Sequence, residues 1–86
     1  MPDVGEKMEE IKPAIVADCR GMNCPLPVIV LKRNIEKMKV GEVLKLVATD
    51  PDTEWDIPAA TKNMGAQLLK HERKGNNLVY YLKRTR

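Results

Sequence analysis

Phenylalanine is absent from the chain, and its only aromatic residues besides one histidine are Trp55, Tyr80 and Tyr81. The core must therefore be aliphatic, built from Val, Ile, Leu and Met. Three aromatics also give thin support for stacking nucleic-acid bases. Two cysteines, Cys19 and Cys24, are too few for a disulfide framework, and with one histidine too few for a structural zinc site within one chain. No metal is expected. No apolar run approaches the length that spans a bilayer. Residues 1–13 are polar and lean acidic, without the apolar centre of a signal peptide. The expected location is the cytoplasm, with no membrane partner.

What remains is a soluble globular composition, 43% hydrophobic and 31% charged, in 86 residues. That length is one domain. Residues 1–13 show no clear period and are expected to form a mobile N-terminal tail, leaving 14–86 as a single domain. The net charge of +3 is unevenly spread. Asp3, Glu6, Glu9, Glu10 and Asp18 face only Lys7 and Lys12 at the start, whereas Lys70, Arg73, Lys74, Lys83, Arg84 and Arg86 face only Glu72 at the end. A basic end can steer acidic partners, but lysine and arginine also protect sheet edges from unwanted pairing, and that reading is preferred.

Six elements are legible. The run 14–19 reads as a strand, and its consecutive apolar residues suggest burial on more than one side. Val28, Leu31, Ile35 and Met38 make one face of a helix over 25–39, which Gly41 ends. Residues 43–49 form a second strand, followed by the turn chemistry of Asp50-Pro51-Asp52. A second helix spans 53–64. Pro58 disfavours regular winding through Glu54, so the main helix is expected to start near Asp56 or Ile57 with Asp56 as a cap. Strands over 66–73 and 78–84 form a hairpin around Lys74-Gly75-Asn76-Asn77. The alternation of Leu78, Tyr80 and Leu82 with Val79 and Tyr81 leaves open which face meets the core. The order β-α-β-α-β-β predicts an α+β fold, a two-layer sandwich whose four-stranded mixed sheet carries two helices on one face.

The most pointed chemistry lies where the first strand passes into the first helix, in Asp18-Cys19-Arg20-Gly21-Met22-Asn23-Cys24-Pro25-Leu26-Pro27. Gly21 suits a positive φ in the loop. The spacing places Cys24 at the helix cap and Pro25 at the first helical position, where its missing N–H costs nothing. The helix dipole there favours thiolate over thiol, and thiolate is the nucleophilic form of sulfur. Capping would draw on the N–H groups of the next residues, but Pro25 and Pro27 have none, which leaves Leu26 as the one donor. Cys24 is thus expected to be a nucleophile whose thiolate is favoured but not over-stabilised. His71 sits among Lys70, Glu72 and Arg73 with no orienting third group, so a Cys–His hydrolase is disfavoured.

The pattern Asp18-x-x-Gly21-x-x-Cys24-Pro25-x-Pro27 resembles the signature of the TusA/SirA-like sulfur-carrier family. Val40-Gly41-Glu42, Asp50-Pro51 and Asp56-Ile57-Pro58 match it further, and the resemblance covers residues 14–84. It implies a persulfide on Cys24 whose terminal sulfur passes to an acceptor protein thiol, in tRNA thiolation, molybdenum-cofactor assembly or sulfur oxidation. The donor would be a cysteine desulfurase or rhodanese-like protein. No cofactor is implied beyond the transient persulfide. The chain would act as a sulfurtransferase-type carrier rather than a free-standing turnover enzyme. Asp18, Gly21, Pro25 and Pro27 would support the motif, and Arg20, Lys32 and Arg33 are candidate partner contacts.

Cys19 departs from that pattern. It reads best as a strand-end core residue, with a resolving thiol for Cys24 as the lesser reading. Two alternatives follow from the residues: a thiol redox module using Cys19 and Cys24, and a small RNA-binding module. Nucleic acid is the less favoured partner.

Overall fold

The computed structural model describes residues 13–23 and 25–86. The expected N-terminal tail, except Pro13, and Cys24 itself lie outside the described residues. The elements are β1 (Ile15–Cys19), α1 (Leu26–Lys37), β2 (Val43–Ala48), α2 (Thr53–Thr61), β3 (Ala66–Lys74) and β4 (Asn77–Arg84). They follow the expected order, and the four strands form one mixed sheet in the order β1-β2-β4-β3. β1 and β2 are parallel, joined through α1, while β4 runs antiparallel to both β2 and β3.

One face of the sheet carries the core. Ala17 and Cys19 of β1, Leu44, Leu46 and Ala48 of β2, and Leu78, Tyr80 and Leu82 of β4 pack with Leu31, Ile35 and Met38 of the α1 segment and Ile57 of α2. This resolves the alternation in β4: its even-numbered residues face the helices. Among the described residues the opposite face has no helical layer, and β1 corrects the sequence expectation there. Val16 is 62% exposed and Asp18 is exposed, so β1 alternates rather than burying both sides. Its apolar run belongs to an edge strand covered on one face only.

Both helices begin differently from expectation. Pro25, not Cys24, stands at the N-cap of α1, with φ −98° and ψ 14°, and Leu26 is the first helical residue. Pro27 then occupies the second position, where a missing N–H is still tolerated. α2 starts at Thr53 after Asp52 and runs through Pro58, so Asp56 is not its cap. The winding is set before the proline: Thr53 N–H donates to Asp50 O, Glu54 to Pro51 O, and Trp55 and Asp56 to Asp52 O, at 3.0–3.1 Å. None of these bonds needs the N–H that Pro58 lacks.

The end of α1 is also not where Gly41 suggested. The helix stops at Lys37, with Met38 extended, and Gly41 (φ +97°) lies in the following turn, donating its N–H to Arg84 O at 2.8 Å. Among the described residues, no helix is long and apolar enough to cross a membrane.

Candidate functional site

The parallel pairing of β1 with β2 brings their C-terminal ends, Cys19 and Ala48, side by side. Both helix N-termini therefore open at this end of the sheet. So does the β3–β4 hairpin, because Leu78 pairs with Ala48. The motif loop is carried from the end of β1 to the start of α1.

Local bonds shape that loop. Asp18 accepts from Arg20 three times, at 3.1 Å from its backbone N–H and at 2.9 Å from each of Nε and Nη2. These side-chain bonds hold the Asp18 carboxyl at about pKa 2, and the same pair raises Arg20. Arg20 is thus a loop-shaping residue as well as an exposed cation. Met22 N–H donates to Cys19 O at 3.1 Å and closes a four-residue turn with Gly21 third, at φ +80°. That is the position where a type II turn demands a left-handed residue. Nothing lies within 4 Å of where a Gly21 side chain would begin, so conformation rather than space selects glycine. Gly21 N–H donates to Thr49 Oγ1 at 2.9 Å, tying the loop to the end of β2.

At the helix entrance, the N–H expected to serve a cap is already engaged: Leu26 donates to Asn23 O at 2.9 Å. Pro27 has no N–H, and Val28 donates to Pro25 O at 3.1 Å. The first three helical residues leave the dipole field but turn no N–H outward. Direct backbone stabilisation of an anion from α1 is thinner than the sequence suggested.

Cys19 is a free thiol, fully buried in the core. Burial raises its pKa, and the Asp18 charge adds to the rise. A buried, protonated thiol is a poor resolving nucleophile. His71 is engaged by other groups. It stacks on Tyr80 with centroids 4.6 Å apart, and its Nε2 lies 3.9 Å from Glu54 Oε2. The aromatics do not form a stacking platform: Trp55 is 78% exposed on α2, Tyr80 is buried, and Tyr81 lies on the opposite sheet face.

Pro25 is exposed and Pro27 buried, so the two motif prolines do different work, one outside and one under the helix start. Lys32 and Arg33 are exposed on α1. The structure adds Leu26 and Ile29, 49% and 42% exposed near the same helix start. Their sequence signal is that both are apolar and fall off the Val28–Leu31–Ile35–Met38 stripe.

The family model described as Sulfurtransferase TusA matches residues 15–84. This chain belongs to the TusA sulfurtransferase family. A sulfur carrier protein TusA of Pseudomonas putida (strain GB-1) is 34% identical over 77 residues, covering 90% of this chain and 96% of that protein. A putative sulfur carrier protein of Aquifex aeolicus (strain VF5) is 39% identical over 77 residues, but the match spans only 39% of its length. Among solved structures, a SirA-like protein from Desulfitobacterium hafniense superposes with a TM-score of 0.72 at 20% identity, covering 84% of this chain and 99% of that one. That likeness establishes the fold.

Proposed function

We propose that this chain is a sulfur-relay carrier that holds sulfane sulfur as a persulfide on Cys24. The Cys24 thiolate attacks the sulfane sulfur of a donor persulfide. A new S–S bond forms as the donor's breaks, and the donor cysteine leaves as thiolate. Delivery is the same exchange in the other direction, onto an acceptor protein thiol. No net oxidation occurs, so the reaction calls for no resident metal or cofactor.

The carrying observation is the family match over residues 15–84, which includes the motif junction. Two features of the site support it. The alternative thiol, Cys19, is buried with its pKa raised. The helix start supplies a dipole without outward backbone donors, favouring a thiolate that can still leave. The donor is a cysteine desulfurase or a rhodanese-like protein, the acceptor a thiol protein, and the setting cytoplasmic. Leu26 and Ile29, with the exposed Lys32 and Arg33 on the same helix, form the docking patch, since exposed apolar groups with neighbouring cations suit a transient protein contact.

The test is relay of radiolabelled sulfur from cysteine through a desulfurase to this chain, then to a thiol acceptor. Label should reach the wild type and not Cys24→Ala. Ile29→Asp should slow transfer without unfolding the chain. Label retained by Cys24→Ala would refute the assignment.

A further inference from the structure

A pocket of about 190 Å³ opens beside Thr49, the residue that accepts the Gly21 N–H of the motif loop. Thr49 and Pro51 line it from the β2–α2 junction, Arg73, Gly75 and Asn76 from the β3–β4 hairpin, and Leu78 from β4. None of these residues belongs to the motif.

The lining is rich in donors. Arg73 gives one N–H to Glu54 Oε2 at 3.0 Å, which steadies the guanidinium and leaves the rest of its fork. Asn76 brings a side-chain amide. Thr49 Oγ1 accepts the Gly21 N–H, and a hydroxyl that accepts one bond still has its own proton to give. Among the described residues that line the pocket there is no aspartate or glutamate, and Arg73 is the one cation. Leu78 and Pro51 add apolar wall. One arginine with two neutral donors matches a carboxylate on a short apolar stem, whereas a phosphate would call for more positive charge.

We propose that this pocket is a carboxylate-binding subsite for sulfur exchange, holding the carboxylate of a sulfur donor or acceptor while its sulfur meets the motif loop. The inference rests on the sulfur-carrier reading above. Thr49 couples the two places. A carboxylate in the pocket accepts a hydrogen bond from the Thr49 hydroxyl, and an oxygen that donates becomes a better acceptor for Gly21 N–H. Occupancy therefore tightens the loop three residues before Cys24. The carboxylate has two sources of one chemistry: a small thiol compound, or an acidic side chain beside the reactive cysteine of a protein partner.

Two arms separate the sources. The ¹⁵N-labelled full chain is titrated with S-methylglutathione, which has two carboxylates and no exchangeable thiol. In parallel, the rate of sulfur loading from a cysteine desulfurase is measured. Both use wild type, Asn76→Asp, Thr49→Val and Thr49→Ser. Asn76→Asp adds a negative charge on a turn that tolerates aspartate. Saturable shifts of the Gly21, Gly75 and Asn76 amides that vanish in Asn76→Asp assign the carboxylate to a small compound. Absent shifts with loading slowed about ten-fold in Asn76→Asp assign it to the protein partner. In either case Thr49→Val loses the Gly21 response or slows loading, and Thr49→Ser restores it. Absent shifts together with equal loading rates in all four proteins overturn the proposal. If the wild type takes no sulfur from the desulfurase, the carrier reading fails for that donor, and the amide shifts alone decide the pocket.

Discussion

Arg84 Nη1 donates to the carbonyl of Ile35 at 3.0 Å across 49 positions of sequence. The same atom reaches the carbonyls of Glu36 and Met38, and Nε donates to Arg86 O at 3.0 Å. The last strand thus caps the first helix with a cation, where the dipole favours one. Replacing Arg84 with Met keeps much of the stem and removes the charge and its bonds. The expected loss is about 2 kcal/mol, read from urea unfolding, on the scale of charge-assisted hydrogen bonds. A change within experimental error would show that solvent serves those carbonyls equally well.

Tyr80 and Thr53 meet in the core, with their hydroxyl oxygens 2.7 Å apart. Thr53 spends its proton on Asp50 O at 2.7 Å, so Tyr80 is the donor to Thr53. Tyr80→Phe removes that donor from a buried acceptor and should cost about 1 kcal/mol. Thr53→Val should cost more, since it also releases the turn that starts α2. Equal losses would contradict this direction of the bond.

Gly21 sits at φ +80° in the motif turn. Gly21→Ala has room for its methyl group but not the conformation, and should lose about 1 to 2 kcal/mol. Sulfur loading should slow as well, because the turn presents the motif. Unchanged thermal stability and loading would show that the turn relaxes without cost.

The Asp18–Arg20 pair makes an acid-limb prediction. Asp18 is held at about 2, below its ordinary value, first by the Arg20 side-chain hydrogen bonds. A carboxylate with a lowered folded pKa adds stability above its unfolded pKa of about 3.9 and loses it as pH falls toward the folded value. The contribution is therefore full at neutral pH and disappears between about pH 4 and pH 2. Asp18→Asn should flatten that part of the Tm-against-pH curve. The pair is exposed, so the amplitude should shrink in high salt. An identical acid limb in both proteins would contradict the assignment.

Hydrophobic period and turn residues made the order and kind of all six elements legible, because both are local. The Leu31–Ile35–Met38 stripe and the glycines near strand ends needed no tertiary knowledge. The misses had longer reach. Val16 looks buried in sequence, but exposure depends on which sheet face receives helices. Pro58 looks like a helix boundary, yet the turn at Asp50–Asp52 starts winding ahead of it. Arg84 reads as a solvated charge until the fold brings β4 against the end of α1. At the site, Cys24, Gly21 and the prolines stood out by spacing, whereas Thr49 gave no signal. Its role exists only because β1 and β2 end side by side. Leu26 and Ile29 are legible as apolar residues off the stripe.

The most direct test of the central claim is intact-mass spectrometry after incubation with a cysteine desulfurase, cysteine and pyridoxal phosphate. Wild type, Cys24→Ala and Cys19→Ala are compared. A gain of one sulfur atom, removed by a reducing agent, is expected in wild type and Cys19→Ala but not in Cys24→Ala. A gain that survives in Cys24→Ala, or a loss of two hydrogens that needs both cysteines in place of any gain, would contradict it.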